Sequence, residues 1–210
     1  MFIAINQMET QNRTQERIMK ILLKELYIEH TATNIGKALG ITRQAVWKSL
    51  NKLSKEKLIL LKSIADTKKS AVRITLNFNN PITPKMLSLI LSKELINYER
   101  WKFNFKELEP YVSFLILFGS ILHSPKEADD IDVISVIDKK NNFKKIDEII
   151  SKIQRTQSKK IHLIDLTEDE FKKEIMNKNK AYLDALKKGI ILFGDNNFIK
   201  FIGELRNYEN

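Results

Sequence analysis

The feature that most constrains the fold is an apolar segment ending in Phe118-Gly119-Ser120, followed ten residues later by Asp130-Ile131-Asp132. The apolar segment and residues 130–137 both predict β-strands. Because side chains alternate along a strand, Asp130 and Asp132 share one face. Two carboxylates held side by side repel each other unless a cation or a proton lies between them. Gly119 and Ser120 offer backbone N–H groups and a hydroxyl to phosphate oxygens. The pattern therefore predicts metal-assisted chemistry on a nucleoside triphosphate.

The composition excludes several classes of protein. With 210 residues and 43% hydrophobic content, the chain fits one large or two small globular domains. It has no cysteine, which excludes disulfides and thiolate zinc sites. No apolar run approaches the roughly 18 residues that span a bilayer, and the first residues lack the basic region of a signal peptide. We therefore expect a soluble, cytoplasmic protein.

The basic charge is concentrated at one end of the chain. Residues 1–80 carry 14 Lys and Arg against 6 Asp and Glu, a net +8 out of the total of +10. A generally lysine-rich composition would spread the excess over both halves. The asymmetry indicates that the N-terminal third binds a polyanion.

The same third of the chain carries the pattern of a helix-turn-helix. Apolar residues at helical spacing predict a first helix over residues 17–26, and Thr31 or Thr33 can cap a second. Gly40 ends that second helix, and Thr42 caps a third over residues 43–55. Two strands around residues 58–63 and 70–78 then flank the polar turn Asp66–Lys69, as in a β-wing. Residues 13–78 resemble the winged helix-turn-helix domains of MarR-like regulators, including the segment Lys52–Ile59.

The exposed face of the third helix and the wing carry groups suited to DNA. Arg43, Gln44 and Asn51 can bind base edges, whereas the lysines and arginines can bind phosphates. Trp47 is on the same face and can either pack under the wing or contact DNA, and packing is the expected role. The alternative is a solvated surface, or a winged helix that docks a protein. The predicted DNA-binding residues are Thr42, Arg43, Gln44, Lys48, Asn51, Lys68, Lys69 and Arg73.

A helical connector is predicted between the two halves. Two prolines and two asparagines in residues 79–84 end the wing, and a helix begins at Pro84 or Lys85. The aromatic residues that follow are expected to be core rather than a nucleotide platform. They are Tyr98, Trp101, Phe103 and Phe105.

Beyond residue 110, alternating strands and helices predict an α/β layer. Phe118-Gly-Ser, a loop and Asp130-Ile-Asp-Val together resemble the minimal nucleotidyltransferases of the polymerase-β superfamily, as does the ending Lys188–Gly194. The resemblance covers residues 111–195. It implies that Gly119 and Ser120 bind the nucleotide and that Asp130 and Asp132 are catalytic metal ligands for Mg²⁺ (or Mn²⁺), with an NTP, expected to be ATP, as substrate.

The family pattern is incomplete in this chain. Asp129 stands where family members usually have serine, Ile121 follows Gly-Ser where a basic residue is common, and no clear third carboxylate is present. The neighbouring predicted strand, residues 160–166, offers His162 and Asp165, which point to opposite faces, and neither is assigned. His123 is expected to be a surface residue.

The predicted organisation is a mixed α/β (α+β) two-domain protein. It comprises a winged helix-turn-helix (13–80), a helical connector (81–110), a nucleotidyltransferase-like mixed sheet with flanking helices (111–195) and a C-terminal helix or tail (196–210). Two functions stay open: metal-dependent transfer of a nucleoside monophosphate to an unknown acceptor, and DNA-binding regulation with an inactive or nucleotide-sensing C-terminal domain. Expected partners are DNA, a nucleoside triphosphate, a second copy of the chain and, by resemblance, a toxin-like protein of a toxin–antitoxin pair.

Overall fold

The computed structural model describes residues 2–64, 71–138 and 142–207, with the side chains of residues 12–64, 71–138 and 142–206. The chain divides into two compact units, residues 1–90 and 91–210. Each unit has its own elements and is described separately.

The first unit begins with three helices: α1 (Phe2–Lys24), α2 (Ala32–Leu39) and α3 (Arg43–Lys55). Its core is formed by apolar side chains that recur at helical spacing, as the sequence predicts. Among those that are at most 1% exposed are Ile18, Leu22, Ile35, Val46, Leu50 and Leu53. The periodicity of the sequence therefore selects the faces that pack.

The turn between α2 and α3 is fixed by three local interactions. The Thr31 side chain accepts a hydrogen bond from the Asn34 backbone N–H, so Thr31 rather than Thr33 is the N-cap of α2. Gly40 ends α2 at φ 66°, in the left-handed region that glycine enters at little cost. The Thr42 hydroxyl accepts from the Ala45 N–H and caps α3. These caps set the bend of the helix-turn-helix.

A two-stranded antiparallel wing follows the third helix. It consists of β1 (Ile59–Ser63) and β2 (Val72–Leu76), with Leu61 opposite Ile74. The predicted wing residues Lys68 and Lys69 lie outside the described residues. Helix α4 (Ile82–Leu95) comes next and begins two residues before Pro84.

The second unit is built on a four-stranded mixed sheet in the order β5-β4-β3-β6. The strands are β3 (Phe114–Phe118), β4 (Asp130–Ile137), β5 (Lys160–Thr167) and β6 (Ile190–Phe193). β3 is antiparallel to β4 and β6, whereas β4 and β5 are parallel. A parallel pair needs a crossover, which helix α6 (Phe143–Gln154) provides.

Helices cover both faces of this sheet. Leu115, Val133 and Ile161 pack in one core with α6 and with Trp101 and Phe105 from the segment around α5 (Glu99–Asn104). The other face of β3 carries Phe114, which contacts aromatic residues of two further helices. These are Phe171 of α7 (Glu168–Met176), and Phe198 and Phe201 of α9 (Asp195–Asn207).

The aromatic residues of the connector region divide between core and surface. Trp101 and Phe105 stack with ring centroids 6.4 Å apart and are buried, whereas Phe103 is 77% exposed. The expectation of a core cluster therefore holds for Trp101 and Phe105 and is wrong for Phe103. α5 is a single short helix, so residues two positions apart cannot face the same side.

Helix α8 (Lys180–Lys188) leads into β6. Throughout residues 2–64, 71–138 and 142–207, no helix is both long enough and apolar enough to cross a membrane.

Candidate active site and recognition helix

Asp130 and Asp132 lie at the start of β4, at one end of the sheet. They occupy alternate positions of the strand and therefore share a face, as the sequence predicts. Phe118, the last residue of β3, is paired with Asp132. The Gly119-Ser120 turn therefore begins directly beside the Asp132 side chain. The structure brings together the two parts of the motif that stand ten residues apart in the sequence.

Gly119 is the residue over which the Asp132 carboxylate lies. A Cβ placed on Gly119 would be 2.1 Å from Oδ2 of Asp132 and 3.1 Å from its Cγ. The glycine backbone has φ 83° and ψ −165°, a conformation almost confined to glycine. The absence of a side chain at position 119 is thus a geometric requirement for the Asp132 position.

The environment of Asp132 favours a neighbouring positive charge. Burial raises the pKa of Asp132, and the nearby charge of Asp130 raises it further, whereas the hydrogen bond and charge of His162 lower it. The pKa is still raised on balance. A cation bound between the carboxylates would relieve the same repulsion that a proton relieves.

The strand register decides between the two candidates for a third ligand. β5 pairs with β4 so that His162 is opposite Asp132 and Asp165 is opposite Ser135. His162 is therefore on the face of the aspartates, and its Nδ1 lies 3.4 Å from Oδ1 of Asp132. Asp165 is on the other face, where burial and then Asp147 and Glu170 raise its pKa.

Three side chains therefore form one potential ligand set, which we call the Asp-Asp-His cluster: Asp130, Asp132 and His162. One ligand atom from each residue lies within 4.8 Å of the others. Sequence reasoning left His162 unassigned because strand alternation alone does not give the register between two strands. The register depends on which face of each strand is buried, and therefore on the tertiary structure.

The neighbouring residues complete the loop beside the cluster. Ser120 is exposed and begins a single turn of 3₁₀-helix. The backbone carbonyl of Ser120 accepts hydrogen bonds from the N–H groups of His123 and Ser124. Asp129 is exposed and precedes β4. His123 is exposed as well, as expected for a surface residue.

On the first unit, the exposed face of α3 forms a shallow groove. Gln44, Trp47, Lys48 and Asn51 line it together with the cap residue Thr42. Gln44, Lys48 and Asn51 are exposed, and Arg43 is exposed at the start of the helix. Trp47 lies on this face and is half-buried, which fits either of the two roles considered for it.

Arg73, a predicted DNA contact on β2, forms an ion pair with Glu29. Its guanidinium donates two hydrogen bonds to Oε1 of Glu29, at 2.6 and 2.9 Å. Both side chains are about half exposed, at 50% and 45%. A DNA phosphate would therefore have to compete with Glu29 for the Arg73 guanidinium.

Fold and site together define the class of this protein. A helix-turn-helix with a two-stranded wing is followed by a mixed sheet that carries a Gly-Ser turn against two strand aspartates. The protein thus combines a winged helix-turn-helix with a nucleotidyltransferase-like domain.

Comparison with known proteins finds a family model that matches most of the second unit. Residues 104–194 match the family described as "Polymerase beta, Nucleotidyltransferase". The match contains the Gly-Ser turn, both aspartates and His162, and it confirms the resemblance expected for the C-terminal region. No curated protein matches the chain.

The similar solved structures include MarR-type regulators. Lactococcus lactis ZitR (C30AH42A mutant, apo form) is 25% identical over 47% of this chain and 72% of its own, with a TM-score of 0.34. Wild-type ZitR in complex with DNA is 26% identical over 44% of this chain and 60% of its own, with a TM-score of 0.33. The adhesin competence repressor AdcR of Streptococcus pyogenes is 26% identical over 52% of this chain and 83% of its own, with a TM-score of 0.32. The winged helix is assigned from the unit's own helices and strands, since TM-scores this low do not define a fold.

Proposed function

We propose that the second unit is a metal-dependent nucleotidyltransferase that transfers a nucleoside monophosphate from an NTP to an acceptor hydroxyl. The observation that carries this proposal is the convergence of Asp130 and Asp132 with the Gly119-Ser120 turn at one end of the sheet. The family match over residues 104–194 supports the reaction class.

The residues present fit a divalent cation. Two carboxylates at alternate positions of one strand repel each other. Burial raises the pKa of Asp132, and the charge of Asp130 raises it further. Oxygen ligands of this kind suit Mg²⁺ and Mn²⁺. The cation, when bound, supplies charge stabilisation to the α-phosphate and to the departing pyrophosphate.

The chain's own residues have distinct roles in the proposed reaction. Asp130 and Asp132 hold the cation, and Gly119 and Ser120 bind the triphosphate through backbone N–H groups and the exposed hydroxyl. The acceptor oxygen forms a bond to the α-phosphorus, the bond from that phosphorus to the bridging oxygen breaks, and pyrophosphate leaves. The acceptor proton passes to water.

The proposal is tested with ATP labelled at the α-phosphate, Mg²⁺ or Mn²⁺, and candidate acceptors: the protein itself, RNA, and proteins encoded beside it. Asp130→Asn and Asp132→Asn should each reduce label transfer at least about 100-fold, because charge stabilisation at the α-phosphate is lost. Asp129→Asn is the matched control: it removes the same charge from an exposed neighbour of the site. If Asp132→Asn transferred the label as fast as the wild type, the assignment of Asp132 as a ligand of the catalytic cation would be refuted.

A second function has an observation in its favour. His162, not a carboxylate, stands opposite Asp132 on the neighbouring strand, where an active enzyme needs a third acid. We therefore keep the alternative of a regulator whose second unit binds nucleotide without transferring it. Nucleotide binding that depends on Gly119 and Asp132, with no labelled product from any acceptor, would favour this alternative.

For the first unit, we propose DNA binding through the exposed face of α3. The net +8 of residues 1–80 and the exposed Arg43, Gln44, Lys48 and Asn51 support it. Lys68, Lys69 and Arg73 stay predictions, and Arg73 would have to leave Glu29 to bind a phosphate.

A gel-shift assay on DNA upstream of the gene tests this interface. Affinity should fall steeply with salt, since each neutralised phosphate adds about −0.9 to the slope of log K against log salt. Arg43→Ala should weaken binding about 5- to 100-fold. Lys106→Ala, which removes one positive charge from the second unit, is the control. Binding that is insensitive to salt and to Arg43→Ala would instead indicate a protein-docking module.

The remaining partner predictions depend on these results. A homodimer would follow if the DNA site is palindromic. A toxin-like partner protein and a cytoplasmic location stay predictions.

A further inference from the structure

The strand opposite the two aspartates carries a nitrogen ligand instead of a third carboxylate. We propose that His162 completes the Asp-Asp-His cluster as a direct metal ligand, and that the cluster therefore prefers a transition-metal cation such as Mn²⁺ over Mg²⁺. This inference rests on the proposed function, because it concerns the same site.

Distances within the cluster fit a shared cation. Ligands at adjacent corners around an ion with bonds of about 2.1–2.2 Å are about 3 Å apart, and opposite ligands are about 4.3 Å apart. His162 Nδ1 and Asp132 Oδ1 are 3.4 Å apart, and the three ligand atoms lie within 4.8 Å of one another. The three ligand atoms are therefore close to the spacing that one shared ion requires.

The position of His162 is fixed by the backbone rather than by a flexible loop. Positions 132 and 162 are partners in the parallel pair of β4 and β5, so their side chains leave the sheet on the same side. The imidazole is 62% exposed, and its Nδ1 already faces the Asp132 carboxylate.

The chemistry of the ligand set argues for the metal preference. Mg²⁺ takes oxygen ligands and keeps several waters, whereas imidazole suits transition metals. Two carboxylates and one imidazole form a mixed oxygen–nitrogen set that Mg²⁺ uses poorly. A carboxylate in place of His162 would restore an all-oxygen set.

The direct test is pulsed electron paramagnetic resonance of Mn²⁺ bound to the full-length protein, which detects a nitrogen nucleus bonded to the ion. The wild type should show this nitrogen coupling, and His162→Asp and His162→Gln should not. His123→Ala is the matched control, because it removes an exposed histidine outside the cluster and should leave the coupling unchanged.

Calorimetric titration with Mn²⁺ and with Mg²⁺ provides the second measurement. The ratio of the Mg²⁺ Kd to the Mn²⁺ Kd should fall at least about tenfold in His162→Asp, as nitrogen is exchanged for oxygen. If His162→Asp does not fold, the nitrogen coupling of the wild type decides the question.

The outcomes separate this inference from the proposed function. Mn²⁺ that binds in an Asp132-dependent way without nitrogen coupling would overturn the role of His162 and leave the nucleotidyltransferase proposal standing. Mn²⁺ that does not bind, or that binds equally well to Asp132→Asn, would overturn both.

Discussion

Replacing Gly119 with alanine separates the geometry of the site from its chemistry, because the new methyl group is uncharged and leaves all three side chains of the Asp-Asp-His cluster in place. The built Cβ would be 2.1 Å from Oδ2 of Asp132, and contacts below 3.0 Å are essentially never seen for real Cβ atoms. The carboxylate must therefore move by about 1 Å, a displacement that can reduce catalysis about 100-fold. We expect Gly119→Ala to weaken cation binding and to reduce label transfer by about this factor.

The same substitution also strains the backbone. At φ 83° and ψ −165°, an alanine costs about 1–3 kcal/mol of folding free energy. Urea unfolding measures this loss, and circular dichroism at the assay temperature shows whether the variant is folded. A folded variant with impaired cation binding would locate the defect at Asp132.

Gly40→Ala is the matched control. Gly40 has a similarly positive φ of 66°, but a Cβ there would meet nothing within 4 Å. It should lose about 1–2 kcal/mol of stability through the left-handed conformation alone and keep its cation affinity. Cation binding and transfer within about twofold of wild type in Gly119→Ala would refute the steric argument, since a 1 Å shift of a ligand cannot be neutral.

Further substitutions test the fold and the face assignments. Asp165→Asn should leave cation affinity unchanged. The pKa of Asp165 is raised in the folded state, so ionisation of this group costs stability above the unfolded pKa of about 3.8. The variant should therefore be more thermally stable than the wild type at pH 7 and lose that advantage near pH 3. Phe114→Ala should cost about 3–5 kcal/mol in urea unfolding, whereas Phe103→Ala, at a 77% exposed position, should change stability by less than about 0.5 kcal/mol. Thr167→Ala removes the capping box of α7 and should cost about 1 kcal/mol by the same measurement.

Local signals in the sequence were enough to predict most elements of secondary structure. Gly40 and Thr42 fix the turn of the helix-turn-helix, because a left-handed C-cap and a hydroxyl N-cap depend only on nearby backbone groups. The capping box of α7, formed by Thr167 and Glu170, depends on the same kind of local interaction. The exposed position of Phe103 was not predicted, because a short helix surrounded by aromatic residues has no clear hydrophobic periodicity.

The candidate site was predictable only in part. The alternation of Asp130 and Asp132 placed both on one face, and the Gly-Ser turn indicated where phosphates would bind. The contact between Gly119 and the Asp132 carboxylate is a pairing of β3 with β4, which local sequence does not encode.

By itself, the sequence determined the helix-turn-helix, the strand aspartates and the excess of basic residues at the N-terminal end, because each depends on neighbouring residues or on composition. The tertiary structure alone decided that His162 faces the aspartates and that Asp165 does not. That choice depends on the parallel register of β4 and β5, in which a shift of one residue would exchange the two faces.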